Sequence, residues 1–332
     1  MTAVLFTCVG QRVDIVNAFA RAGATTVAAD CSPLAPALYH AHAYGLVPRK
    51  DDPEYVPQLR ALVEEHDVRL VVPLTDIDQV IVSRRRAELL PAQMLLPSIE
   101  IVDAMADKYE AHCLFERLGI GSPPTWLPEE APDELPFPVL VKARVGFGSR
   151  NIYRADDRAE LEFHLARTPV ASMIQYACRG EEFSIDVFCD FEGRCLNAIP
   201  RTMIESKGGE SIKGETIRDE ELIALACKAA EALPLGGPAN IQCFREPDGR
   251  LLVTDVNPRF GGAFPLPLAA GSRYPELAIA LANGERPEPR VGDYREGIVM
   301  TRFFSELCLA PGLDGRLEPV ADAFIQPVAD PM

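Results

Sequence analysis

The chain has 332 residues, 48% of them hydrophobic and 25% charged, an ordinary globular balance with room for two or three domains. A formal net charge of −16 argues against a nucleic-acid partner and requires any phosphate pocket to be built locally from a few cations. No apolar run is long enough to span a membrane and no signal peptide is evident. Nine cysteines without a CxxC pair fit a reducing compartment, so a cytoplasmic protein is expected.

Residues 2–8 read as a buried strand and 11–22 as a helix. Residues 25–30, 69–73 and 93–96 read as further strands, with a helix over 56–66. This alternation predicts a parallel sheet with right-handed crossovers. Ligands on such sheets gather beyond the strands' carboxyl ends, here Gly10-Gln11-Arg12, Asp30-Cys31-Ser32 and Thr75-Asp76-Ile77-Asp78. Those residues serve equally well as loop and cap residues. The dinucleotide fingerprint GxGxxG is absent, because CVGQRVD offers only Gly10.

A boundary falls near 98–107, followed by a helix over 108–118 closed by Gly119. After a proline-rich connector (123–138), a short apolar strand over 139–143 carries Lys142. Residues 144–150 (RVGFGSR) then lead to the strand NIYR. That loop is either a phosphate-approaching flap or a plain hairpin turn. The strand ASMIQY follows, then 181–187, whose alternation puts Glu182, Ser184 and Asp186 on one face. A strand near 196–203 leads into 205–215 (ESKGGESIKGE), read as a polar loop that is either surface or an active-site cover. Asp219 caps an amphipathic helix over 219–233, and 263–284 looks helical despite Pro265 and Pro267.

The stretch 250–262, RLLVTDVNPRFGG, carries the strongest chemical signal. Asp255 and Asn257 share a strand face, and their oxygens suit Mg²⁺ travelling with phosphates. Pro258 ends the strand, and Arg259 offers a planar fork to a phosphate or carboxylate. The preceding run NIQCFR joins it through the turn EPDG, which predicts an antiparallel hairpin. Pairing Arg245 with Arg250 sets Gln242 opposite Val253 and diagonal to Asp255. The five histidines (His40, His42, His66, His112, His164) form no ligand cluster.

In this order the pieces resemble the ATP-grasp superfamily, and most closely the ATP-binding domain of the carbamoyl-phosphate synthase large chain. The resemblance runs over 107–287 through DKYEAHCLFERLGIGSPP, FPVLVKARVGFGSRNIY, IQYACRGEEFSIDVF, the hairpin with NPRFGG, and LPLAAGSRYPELAIALANGERP. It implies a mixed α/β and α+β protein: a Rossmann-like pre-ATP-grasp domain (1–105), then a two-subdomain ATP-grasp fold (106–177 and 178–332). It further implies that Lys108 and Lys142 hold ATP phosphates and that Gln175 sits at the adenine. Ala177 and Cys178 would pair with the ring edge through their backbones, and Glu182 would take the ribose. Gln242, Asp255 and Asn257 would bind one or two Mg²⁺, or Mn²⁺ in its place, and Arg259 would hold the transferred phosphate or the accepting carboxylate. Asp255 stands where the family more often has Glu, the glycine flap is shorter, and there is one ATP-grasp unit only. The implied chemistry is ADP-forming ligation of a small carboxylate to an amine, with Lys142 and Arg259 in the catalytic roles. A kinase-like relative using bicarbonate, carbamate or another carboxylate is a second reading, and a non-catalytic nucleotide-binding regulator a third. Arg12, Arg201, Lys213 and Arg273 are candidates for meeting an anionic substrate or are solvated surface charges. The family pattern also allows a homodimer.

Overall fold

The computed structural model describes residues 1–146, 151–207, 210–313 and 315–320. Two compact units emerge, one of Met1–Leu74, Arg85–Met94 and Thr301–Met332, the other of Thr75–Arg84 and Leu95–Met300. Among the described residues no helix is long and apolar enough to cross a membrane.

The smaller unit is the parallel sheet that the alternation predicts. Its elements are β1 (Ala3–Thr7), α1 (Val13–Arg21), β2 (Thr25–Asp30), β3 (Ala43–Leu46), α2 (Tyr55–Glu65), β4 (Val68–Pro73) and β5 (Gln93–Met94), with strand order β3-β2-β1-β4-β5. Every pairing in this sheet is parallel, while Leu309–Pro311 and Leu317–Pro319 of the same unit pair antiparallel. β1, β2 and β4 are buried along nearly their whole length because both of their faces are covered. Gly10 takes φ +46, a left-handed turn that lets its N–H reach Asp30 Oδ2 at 2.9 Å. The sequence reading missed β3, whose AYGL alternates too weakly to stand out.

The larger unit opens with α3 (Asp76–Arg84), α4 (Ile99–Ala106) and α5 (Lys108–Arg117). It continues with β6 (Thr125–Trp126), β7 (Val139–Ala143), β8 (Ile152–Ala155), α6 (Arg158–Arg167) and β9 (Ser172–Tyr176), whose strands form an antiparallel sheet of order β6-β9-β7-β8. Its core is Val139, Val141, Ala155 and Ile174 on one strand parity, covered by Leu161 of α6. Residues 147–150 of the expected glycine flap lie outside the described residues.

A second antiparallel sheet is built from β10 (Glu181–Cys189), β11 (Cys195–Thr202), β14 (Pro238–Arg245) and β15 (Leu251–Asn257), in the order β11-β10-β14-β15. Between these strands lie β12 (Glu205–Lys207), β13 (Glu210–Glu215) and α7 (Glu220–Ala232). Residues 205–215, expected as a loop, instead include a hairpin pairing Glu205 with Lys213 and Ser206 with Ser211. The carboxylate of Asp219 accepts from Glu221 N and Leu222 N, so the expected cap of α7 is present. The helix expected over 263–284 is two helices, α8 (Pro265–Ala269) and α9 (Tyr274–Ala282). Gly271 at φ +98 and Arg273 at φ +55 break it, since neither conformation continues a helix.

Candidate active site

The site is the polar face of the second sheet, and its register is set by one bulge. Arg245 pairs with Leu251 and Cys243 with Val253, but Gln242 then stands directly opposite Asp255. The expected register, Gln242 opposite Val253, is therefore corrected. The chain enters the turn one residue later than anticipated, and the extra residue in β15 moves Gln242 from diagonal to opposite. Asn257 faces Asn240 in the next pair. Across β10 and β11 the same row continues through Ser184 to Arg201. Arg201, Ser184, Gln242 and Asp255 thus form one line across four strands, roughly 14 Å long at the usual strand spacing.

Two lysines approach from the other sheet and its helix. Lys108 is the first residue of α5, where Asp107 caps the helix by accepting from Tyr109 N and Glu110 N. A cation at a helix N-terminus opposes the macrodipole, which argues for a role other than helix stability. Its Nζ donates to Asp255 Oδ2 at 3.3 Å, with both side chains 22% exposed. The helix start is tied to the end of β7 by Lys108 N to Arg144 O (2.9 Å) and by the Arg144–Asp107 ion pair (2.7 Å).

Lys142 Nζ donates to Gln175 Oε1 at 2.7 Å, and Gln175 Nε2 donates to Thr125 Oγ1 at 3.0 Å. Gln175 is 3% exposed, so its amide is engaged on both sides by protein. Burial pushes the Lys142 ammonium below its ordinary range, while the Asp255 carboxylate opposes that shift. Burial also raises the Glu182 carboxyl, against the pull of Lys142 and Arg201.

Arg259 is held by Asp76, which the sequence places just past a strand end as a ligand-site, loop or cap residue. Its Nε and Nη2 donate to Asp76 Oδ1 (2.6 Å) and Oδ2 (3.0 Å), a bidentate pair with the first residue of α3. Nη2 also lies 3.5 Å from Asn257 Oδ1. Gln79 Nε2 reaches Pro258 O at 2.6 Å, so α3 fixes the end of β15 twice.

The link between the two sheets has its own anchor. Buried Glu246, read from sequence as a turn residue, accepts from Tyr176 OH (2.9 Å), Arg179 N (2.8 Å) and Gly180 N (3.3 Å). Ala177 N–H donates to Pro138 O at 3.1 Å. The Cys178 thiol is pushed up to about 12, chiefly by burial and then by Glu246, so it is no thiolate nucleophile at neutral pH.

The four candidate substrate cations separate. Arg12 pairs with Asp14 at 3.1 Å in the smaller unit. Lys213 is exposed and pairs with Glu205 at 2.6 Å. Exposed Arg273 lines a different cavity, of about 380 Å³, with Asn197, Ser272 and Glu276. Arg201 alone of the four belongs to the Asp255 row.

As a metal site, Gln242, Asp255 and Asn257 offer hard oxygens but a single carboxylate. No group of three or more His, Cys, Asp or Glu gathers for a metal among the described residues. Such a set fits a cation that arrives with phosphate oxygens, not one held by protein alone.

Residues 169–303 match the family described as ATP-grasp in the biosynthetic pathway with Ter operon, and residues 4–93 match the PylC-like N-terminal domain. The chain carries an ATP-grasp domain. Its sequence is 29% identical over 198 residues to the carbamoyl phosphate synthase large chain of Clostridium botulinum, covering 54% of this chain and 18% of that one. The chain thus spans less than a fifth of that relative's length. Solved structures share the fold over most of the chain. The biotin carboxylase domain dimer of Hydrogenobacter thermophilus 2-oxoglutarate carboxylase, in complex with MgADP, ADP and bicarbonate, aligns with a TM-score of 0.71 at 18% identity, over 89% of this chain and 73% of that one. The L-amino acid ligase of Bacillus licheniformis aligns at 0.66 and 19% identity, over 85% and 74%.

Proposed function

We propose that this chain is an ATP-dependent ligase that joins a small carboxylate to an amine and releases ADP and phosphate. One observation carries the reading. Two lysines, a metal-competent trio and a bidentate-held arginine converge on the end of one hairpin, where terminal phosphates would be gathered.

Lys108 and Lys142 bind phosphate oxygens, and a bound nucleotide draws Lys108 away from Asp255. Gln242, Asp255 and Asn257 hold Mg²⁺, which supplies neutralisation of the phosphate charge. Asp76 presents the Arg259 fork to the transferred phosphoryl group or the carboxylate beside it. Glu182 accepts the ribose hydroxyls, and the segment of Ala177 and Cys178, held by Glu246, borders the base. Because Gln175 is already bonded to Lys142 and Thr125, it orients Lys142 toward the phosphates and does not read the adenine.

The carboxylate oxygen attacks the γ-phosphorus, the bond to the β-γ bridging oxygen breaks, and ADP leaves. The amine then displaces phosphate from the acyl phosphate. Positioning and charge stabilisation suffice, so no nucleophilic Ser or Cys is required. The test supplies ATP, Mg²⁺, hydroxylamine and a panel of small carboxylates. Hydroxamate formed in step with ADP supports the ligase. AMP with matching pyrophosphate refutes it, and ADP without hydroxamate or amide shifts the reading to phosphorylation without ligation.

A further inference from the structure

Arg201 carries an unmet hydrogen-bonding capacity at the β11 edge of the polar face. The side chain is 3% exposed. Its Nε donates to Asp186 Oδ2 at 2.8 Å, while its Nη1 is enclosed and has no partner. Stranding a charged donor in this way costs more than stranding a neutral one, and native proteins seldom do so without a reason.

The rest of the environment holds the guanidinium still. Asp186 is itself fixed by Asn240 Nδ2, which donates to Oδ1 at 3.0 Å. The backbone of Asp186 is fixed by Tyr274 OH, which donates to its carbonyl at 2.8 Å. Gly261 packs so close that an added Cβ would lie 2.7 Å from Asp186 Oδ1. The β11 backbone at Arg201 bridges to Thr216, just beyond the β12–β13 hairpin. Asp186 therefore orients the arginine without saturating it, and the positive charge still reaches Glu182. Along the register, Arg201 is the β11 end of the row whose β15 end is Asp255.

We propose that Arg201 holds a carboxylate of the acceptor substrate, with Nη1 donating to a carboxylate oxygen at the β11 end of the Asp255 row. This rests on the ligase reading and adds to it a binding residue and a place for the acceptor. The acceptor lies across β10 and β14, its reacting end toward Asp255 and the phosphates. Arg201 is a binding residue here and moves no proton.

The experiment uses the full chain with ADP and Mg²⁺, and acetate as the probe. In wild type, acetate shifts the Arg201 guanidinium ¹⁵Nη resonances saturably, and chloride at equal ionic strength does not. Arg201→Gln raises the acetate dissociation constant at least tenfold and leaves that of ADP within threefold. Arg201→Lys, which keeps the charge but not the fork, falls between. Unchanged acetate affinity in Arg201→Gln, or no saturable shift in wild type, overturns the proposal and leaves the ligase reading standing. Equal loss of ADP and acetate affinity also overturns it, placing Arg201 at the nucleotide. Failure of wild type to bind ADP sinks the ligase reading, and this proposal with it. If Arg201→Gln does not fold because Asp186 is stranded, the wild-type guanidinium titration decides alone.

Discussion

At the scale of single residues, charge placement matters more than residue type. Arg259 is useful because Asp76 fixes its plane. A lysine there keeps the charge and loses the fork, so Arg259→Lys should not behave as a conservative change. Losing one charge-assisted contact costs about 1.5–3 kcal/mol, which is roughly a ten- to hundredfold fall in rate. Steady-state ADP release measures it, and a rate within twofold of wild type would remove Arg259 from the machinery. Lys142 gives a pH test with a defined sign. Its folded-state pKa lies below the ordinary 10.5, so the unfolded chain binds the proton more readily. The folded state therefore gains stability as pH rises between the lowered value and 10.5, and the full cost applies below that window. Unfolding free energies of wild type and Lys142→Met, measured across alkaline pH without ligand, should diverge in favour of wild type as pH rises. A difference independent of pH would show that Lys142 is solvated in the folded chain.

At the scale of elements, the hairpin and the connector between the two sheets do the positioning. The β14–β15 hairpin was legible because EPDG marks its turn and alternation marks its polar face. Its bulge was not legible, since one residue of slack at the turn changes every opposite pair while leaving the pattern intact. The 205–215 hairpin was hidden by its glycines and charges, which favour a loop on composition. The connector depends on Glu246. Glu246→Ala strands two backbone N–H groups and the Tyr176 hydroxyl. These donors are only partly buried, so together they cost about 1–3 kcal/mol. Urea unfolding should show a loss of that size, and calorimetry should show weaker ADP binding, because the same segment borders the base. Glu246→Gln keeps one acceptor oxygen and should lose less. Equal stability of Glu246→Ala and wild type would mean that water replaces the carboxylate.

At the scale of the whole molecule, the fold class was legible and the support of the site was not. Alternating strands and helices gave the parallel sheet of the smaller unit, and five motifs in order gave the ATP-grasp domain. Asp76 reaches Arg259 across 183 residues, and Glu246 reaches the connector across 66 to 70. Nothing local in a sequence marks such partners. The face that gathers Lys108, Asp255, Gln242 and Asn257 follows from strand parity, but the reach of Lys108 into it follows only from the capping of α5 at Asp107. Removing the carboxylate of that face should leave the fold and abolish the chemistry. Asp255→Ala, with both partners near the surface, should melt within a few degrees of wild type and release no ADP above background. Near-normal turnover would remove Asp255 from the metal trio.

The proposed chemistry turns on attack of an acceptor carboxylate oxygen on the γ-phosphorus. It is tested by supplying the active carboxylate from the hydroxylamine panel labelled with ¹⁸O in both oxygens, together with ATP, Mg²⁺ and an amine. One labelled oxygen is expected in the released phosphate, seen as an isotope shift in the ³¹P spectrum, with ADP formed in equal amount. Unlabelled phosphate, or label appearing in AMP, would contradict it.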